Sequence, residues 1–408
     1  MQLRLGVEPS PLRPEVAQIR ARLARLVAAG LVRHRLDLAE ASGLSRTAVH
    51  QHVQGLLDAG LLVEDPPERA PGRGRPAGRL RLRPDAARVV TVDVGTLRHR
   101  VGLYDLTGRR RGERVLDVAL ARGPEAVLGA VVDAVRALVA EPGEPSDATE
   151  RPGVVVVGLP GPVDVAAGVP VRPPIMPGWD GFGVAAFLGA ALGHEVLVDN
   201  DADLMALGEA RSLAPEECPL VLVTVGTGIG AGIVDSRGAL HHGADGAAGD
   251  LGHIPAPVAT RAVCSCGNTG CVEAVAAVPA MLAAAAAVSA EFAGLDEAGF
   301  CERVAQGSGV ALRAVREAAE VIGQVTATLI SVYNPRRVVL GGPLATASDD
   351  LLAGVRSVVY RRALPLATRR LTLTTGVLGE RAATTGALVL GLEHLLSPAR
   401  IGDLLHPA

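Results

Sequence analysis

Within eight residues the chain places three cysteines, Cys264-Ser265-Cys266-Gly267-Asn268-Thr269-Gly270-Cys271, with Gly252-His253 a short way upstream. Three thiolates and one imidazole are the donor set of a closed tetrahedral site, so a structural Zn2+ held by His253, Cys264, Cys266 and Cys271 is the first expectation. It limits the fold strongly, because Gly267 and Gly270 must bend the chain until neighbouring sulfurs converge on one ion. Asp250 and Glu273 flank the same stretch, so any ligand they hold would share a scaffold with the metal. Five cysteines, three of them crowded together, suit metal ligation in a reducing compartment better than a disulfide framework. Cys218 and Cys301 read as packing residues.

At 408 residues and 49% hydrophobic content the chain can fill two or three domain cores. Aromatics are only 2%, so those cores must be built from Val, Leu and Ala. The apolar run from Ala274 to Ala290 is alanine-rich, contains Pro279 and falls short of the ~20 strongly apolar residues of a membrane span. It reads as a buried helix. With no secretory signal at the start, a cytoplasmic protein with no membrane partner is expected.

Charge divides the chain unevenly. Residues 1–83 hold 14 Arg against 8 Asp and Glu, whereas the remainder holds 26 against 35, so a basic front precedes an acidic rear. In the front, Val16, Ile19, Leu23 and Leu26 fall at helical spacing after Pro14, and a second short helix is expected near Leu36 to Ala41. Ser42-Gly43-Leu44-Ser45 then supplies a glycine for a left-handed turn and a serine to cap a third helix. Val49, Val53 and Leu56 make that helix's inward stripe, which leaves Arg46, Thr47, His50, Gln51 and Gln54 outward. Hydrogen-bonding side chains on the first turns of such a helix are placed to read base edges in the major groove. Leu61-Leu62-Val63 and Leu80-Arg81-Leu82-Arg83 read as two short strands around an arginine-tipped wing, whose Arg73 and Arg75 can follow phosphates or a narrow minor groove.

The run from Leu38 to Val49, followed by Gly60-Leu61-Leu62 and Gly74-Arg75-Pro76-Ala77, resembles the DNA-binding head of regulators of the ROK family, which joins repressors, open reading frames and sugar kinases. From about Arg88 onward, valine-rich strands alternate with helical stretches, which argues for an α/β domain. Three strands run into glycine-bearing loops: Val89–Asp93 into Gly95, Val221–Val225 into Gly226-Thr227-Gly228-Ile229-Gly230, and Val338–Leu340 into Gly341-Gly342. In this order they are similar to the two phosphate loops and adenosine loop of the actin-like ATPase superfamily. Gly158–Asp164, Pro177-Gly178-Trp179, Asp199–Asp203 and Gly246–His253 match the remaining family stretches.

The resemblance implies a winged helix-turn-helix at residues 1–83, a first lobe at 84–198 completed by a C-terminal helix near 386–408, and a second lobe at 199–385 carrying the zinc motif. It implies operator DNA at Ser45, Arg46, Thr47, His50, Gln51, Arg73 and Arg75. It also implies a sugar or sugar derivative at Asn200, Asp201, Asp250, His253 and Glu273, with Asp201 as general base if the chain is a kinase. Nucleotide would meet Asp93, Gly95, Gly226, Thr227, Gly228, Gly230, Gly341 and Gly342.

Departures from the family pattern decide between catalysis and sensing. Where active kinases resemble Asp-x-Gly-Gly-Thr, this chain reads Asp93-Val94-Gly95-Thr96-Leu97-Arg98, so a side chain crowds the phosphate approach and the hydroxyl is lost. Phosphoryl transfer rests on positioning and charge stabilisation, which a deformed cradle forfeits. Asp250 stands where the family usually has Glu, and Asp203 where it usually has Asn. The expectation is therefore a sugar-controlled transcriptional repressor acting as a homodimer or dimer of dimers, with vestigial nucleotide loops. Lobe closure would alter the spacing of the heads. The alternative is an ATP- and Mg2+-dependent sugar kinase carrying a DNA-binding head.

Overall fold

The structure, a computed structural model, describes residues 15–66, 78–96, 98–140 and 153–405. Arg73, Arg75 and Leu97 lie outside the described residues. The chain divides into two compact units, one of residues 1–157, 183–198 and 387–408, the other of residues 158–182 and 199–386. Segment 158–182, expected with the first lobe, thus clusters with the second unit.

Three helices open the chain: α1 (Val16–Ala28), α2 (Arg35–Ser42) and α3 (Arg46–Asp58). Leu23, Leu26, Leu38, Val49, Val53 and Leu56 are buried, forming the small core expected from their spacing. Val16 is a correction: at the first position of α1 it lies beyond the packed stripe and is 54% exposed. Between α2 and α3, Gly43 takes φ 71°, a left-handed conformation that a side chain would strain. Ser45 caps α3 by accepting the Ala48 N–H at 3.2 Å. The wing strands β1 (Leu62–Glu64) and β2 (Leu80–Leu82) pair antiparallel, Leu62 opposite Leu82.

Next come β3 (Arg88–Val94), β4 (His99–Asp105), β5 (Arg110–Leu116), α4 (Pro124–Val139) and β6 (Gly153–Leu159). A short hairpin β7 (Val163–Asp164) and β8 (Val169–Pro170) precedes α5 (Val184–Leu192) and β9 (Glu195–Asn200). The remaining elements are α6 (Asp201–Ser212), β10 (Leu220–Val225), β11 (Ile229–Val234), α7 (Val272–Ala276), α8 (Val278–Val288), α9 (Glu297–Ala305), α10 (Gly309–Tyr333), β12 (Arg337–Gly341), α11 (Pro343–Ala347), α12 (Asp350–Arg362), α13 (Pro365–Thr368), β13 (Thr372–Thr375), α14 (Ala382–Leu395) and α15 (Ile401–Leu405).

In the first unit, β3, β4 and β5 form an antiparallel meander within a sheet of order β5-β4-β3-β6-β9. The head is fastened to this unit's C-terminal elements by a buried arginine on α1. Arg25 donates from its guanidinium to the carbonyls of Glu393 at 2.7 Å and Leu396 at 3.1 Å, at the C-terminal end of α14.

In the second unit the sheet order is β11-β10-β12-β13, with β10, β12 and β13 parallel and β11 antiparallel at one edge. Its core joins Val221, Val223, Val338 and Leu340 to the buried faces of α10 and α12. Strands made of Val and Leu, buried on both sides, supply the apolar volume that scarce aromatics cannot. The run Ala274–Ala290 differs from expectation. It is two helices, α7 and α8, parted at the extended residue Ala277, with Pro279 in the first turn of α8 and only Val278, Met281 and Ala285 of α8 buried. Proline tolerates a helix start but not its interior, so the run restarts there. No helix among the described residues is long and apolar enough to cross a membrane.

Candidate functional site

The head presents Ser45, Arg46, Thr47, His50 and Gln51 exposed along the first turns of α3. His50 is not free to swing. Its Nδ1 accepts from the Arg35 guanidinium at 3.0 Å, and Arg35 is paired with Glu64 of β1 at 2.8 Å. Because an arginine can only donate, Nδ1 is the acceptor in this contact. Arg35 and Glu64 were not singled out from sequence, since neither belongs to α3.

In the second unit the expected metal ligands converge. His253 Nδ1 lies 3.4 Å from Cys264 Sγ, Cys266 Sγ lies 3.7 Å from Cys271 Sγ, and all four donor atoms fall within 4.8 Å of one another. This cluster can hold a metal ion. The loop is shaped for it by short bonds: Cys264 N–H to Asn268 O at 2.8 Å and Gly267 N–H to Cys264 O at 3.0 Å.

Three of the expected sugar-side residues, Asp250, His253 and Glu273, adjoin this knuckle. Glu273 sits in the first turn of α7, where Oε2 accepts the Ile229 N–H at 3.2 Å and Oε1 accepts the Ser265 hydroxyl at 3.1 Å. It therefore ties the start of β11 to the cysteine loop. His253 Nε2, the nitrogen turned away from Cys264, lies 3.9 Å from Asp250 Oδ1. Partial burial raises the Asp250 carboxyl above its ordinary value, opposed by His253 and reinforced by Glu273.

Asn200 caps α6: its Oδ1 accepts from Ala202 N–H at 2.8 Å and Asp203 N–H at 3.3 Å, while Nδ2 donates to Gly161 O at 2.7 Å. One amide proton of Asn200 remains for a ligand. Asp201 follows as the first residue of α6, half-buried.

Two of the three glycine loops close on themselves through backbone hydrogen bonds. At the end of β3, the Gly95 N–H is spent on Arg98 O at 3.2 Å, so the turn's first amide faces its own hairpin. Desolvation pushes the Asp93 carboxyl up to about 6, with Arg100 pulling the other way. In the second unit, Gly226 N–H donates to Gly228 O at 3.0 Å and the Thr227 hydroxyl donates to Glu297 at 2.6 Å. A Cβ at Gly228 would stand 2.6 Å from Glu273 Oε2, and one at Gly342 would stand 2.5 Å from Val225 O. Gly230 packs against Ala202 and Gly341 against Met205. Glu297 is a further residue that no sequence signal marked, because it reaches Thr227 across 70 positions.

The ROK family profile matches residues 89–394, three quarters of the chain. The chain is similar to the xylose repressor of Caldicellulosiruptor bescii, 24% identical over 379 residues that cover 89% of this chain and 92% of that protein. Residues 89 to 408 alone cannot supply 89% of the chain, so this likeness extends into the head. Among solved structures, a ROK family transcriptional regulator, a homologue of the E. coli MLC protein, superposes with a TM-score of 0.78 at 23% identity over 96% of this chain and 98% of that one. A ROK family glucokinase from Streptomyces griseus, solved with glucose and AMPPNP, superposes with a TM-score of 0.62 at 27% identity over 74% of this chain and 99% of the kinase. The kinase is thus accounted for in full while a quarter of this chain is left over. With its helical head, strand-loop units and profile match, the chain belongs to the ROK family.

Proposed function

We propose that this protein is a sugar-responsive, DNA-binding transcriptional repressor. The observation that carries the reading is the joining of a helix-turn-helix head, whose α3 offers Arg46, Thr47, His50 and Gln51 to solvent, to a ROK domain. The likeness to the xylose repressor of Caldicellulosiruptor bescii spans residues of both parts. Such heads act in pairs on half-sites about one DNA turn apart, so a homodimer or dimer of dimers is the working form, and chromosomal operators place it in the cytoplasm.

In this reading Asn200, Asp201, Asp250, His253 and Glu273 bind a sugar or sugar derivative. Dense polar groups discriminate among hexoses because an absent hydroxyl leaves a buried partner unpaired. Asp250, one methylene shorter than glutamate, sets the ring position and hence the sugar selected. Zn2+ fits the His253, Cys264, Cys266 and Cys271 donors. A regular tetrahedron with Zn–S of about 2.3 Å and Zn–N of about 2.0 Å has S–S edges near ~3.8 Å and S–N edges near ~3.5 Å. The separations of 3.7 and 3.4 Å match. When bound, the ion supplies a cross-link between His253 and the cysteine loop; His253 then presents Nε2 toward Asp250 and the ligand.

Sensing is favoured over phosphoryl transfer because amides and hydroxyls that would hold phosphate are engaged internally: Gly95 N–H, Gly226 N–H and the Thr227 hydroxyl. The test is a binding-site selection on genomic DNA with and without a panel of hexoses and N-acetylated hexosamines, run beside an ADP-release assay. Enrichment of one operator, altered by one sugar, with no sugar-dependent ADP release, supports the reading. ADP release abolished by Asp201→Asn would replace it with the kinase.

A further inference from the structure

Beside the start of α6 lies a second constellation that neither the cysteine cluster nor the sugar-side residues explain. Asp199 and Asp203 are 1% and 2% exposed, and His242 reaches them from the loop after β11. His242 Nε2 stands 3.1 and 3.0 Å from the two oxygens of Asp199, and one donor atom from each of the three residues lies within 4.8 Å of the other two. Asp203 accepts the Ile233 N–H with one carboxylate oxygen. Its other oxygen, Oδ1, is buried with no hydrogen-bond partner.

A carboxylate so buried must be neutralised, by a proton or by a cation. Desolvation, with Asp199 adding its repulsion, pushes the Asp203 carboxyl up to about 8. A proton solves only half the problem. A proton on Oδ1 would call for an acceptor, and both oxygens of the neighbouring Asp199 are already engaged by His242. A cation acts differently, because it sits about 2.0–2.2 Å from each donor and bridges gaps of 3–4 Å that no hydrogen bond spans. Two carboxylates and one imidazole are a donor set for Zn2+ or Mn2+ rather than for the softer ions that thiolates select.

We propose that Asp199, Asp203 and His242 form a second divalent transition-metal site, distinct from the cysteine cluster, which pins the first turn of α6 to the loop after β11. Asp199 and Asp203 flank Asn200 and Asp201, so the ion fixes the backbone from which those two side chains project. The sequence hint is Asp203, an acid where related kinases usually carry an amide.

The test uses the full chain first loaded with one equivalent of Zn2+ to fill the thiolate site, then titrated with Mn2+ while the free ion is followed by electron paramagnetic resonance. One saturable Mn2+ per chain is expected. Asp203→Asn, which keeps the side chain's size while removing its charge, should weaken Mn2+ at least about tenfold. Mn2+ should also raise the melting temperature of the wild type and not of Asp203→Asn. Absence of saturable Mn2+ binding by the wild type overturns the proposal whether or not the variants fold. So does Mn2+ binding that Asp203→Asn and His242→Gln leave undiminished.

Discussion

The exposed face of α3 and the polar segment from Asn200 to Glu273 are both rich in hydrogen-bonding side chains, yet they spend them differently. On α3, Arg46, Thr47 and Gln51 are exposed, and His50 is steadied by one bond from Arg35. In the second unit, Asn200 caps a helix, Glu273 joins β11 to the cysteine loop, and His253 faces Cys264. The exposed side chains of α3 can therefore be exchanged without changing how the head folds. In the second unit Asn200, Glu273 and His253 cannot be exchanged so freely, because they are also scaffold.

That contrast can be broken most severely at the metal. If the cluster holds Zn2+ as proposed, replacing Cys264 or Cys271 with Ser, or treatment with a chelator, should cost at least about 3 kcal/mol, because metal binding and folding of such a site are coupled. Differential scanning calorimetry should show the loss together with abolished sugar binding. An unchanged melting temperature on metal removal would separate the knuckle from the fold.

Glu273→Ala is expected next in size. It leaves the Ile229 N–H and the Ser265 hydroxyl without acceptors, which should destabilise by about 2–3 kcal/mol and remove sugar affinity in calorimetric titration. The double change His50→Ala with Gln51→Ala should do the reverse. Melting should move by no more than about 1 °C, because both residues are exposed and outside the core, while discrimination between operator and random DNA falls roughly 10- to 100-fold in a mobility-shift titration. Equal losses on both DNAs would show that the two side chains do not read bases.

A smaller effect depends on pH. Asp93 has its carboxyl pushed up to about 6, above the unfolded value of 3.8, so in that interval the folded chain holds a proton that the unfolded chain has released. Stability then falls as pH rises from about 4 to about 6, and the penalty is complete above that window. Asp93→Asn removes the charge and should gain on the order of 1–3 kcal/mol at pH 7 and little at pH 4. Urea melts at the two values check the sign. Ser45→Ala is the smallest, about 1 kcal/mol from loss of the α3 cap.

Much of the fold was legible where the determining forces are local. Helix α3 shows its apolar stripe, its serine cap and its glycine turn within sixteen residues, Gly43 to Asp58. Strands β3, β10 and β12 announce themselves as valine runs ending in glycine. The alanine-rich stretch misled, because composition identifies a helix but not where Pro279 restarts it or which face a neighbour covers. The cysteine knuckle could be read because thiols crowded within eight residues leave few other uses.

The sequence alone determined donor chemistry and element type, for these depend on residues a few positions apart: a cluster of thiols beside an imidazole, a serine-capped helix, valine strands running into glycine loops. Tertiary structure decided which side chains meet across long separations. It set His242 against Asp199, Thr227 against Glu297 and Arg25 under the end of α14. The reason is physical. Local patterns follow from backbone geometry and solvation, but a buried carboxylate's partner is chosen by how the sheet and its loops pack, and no spacing along the chain encodes that distance.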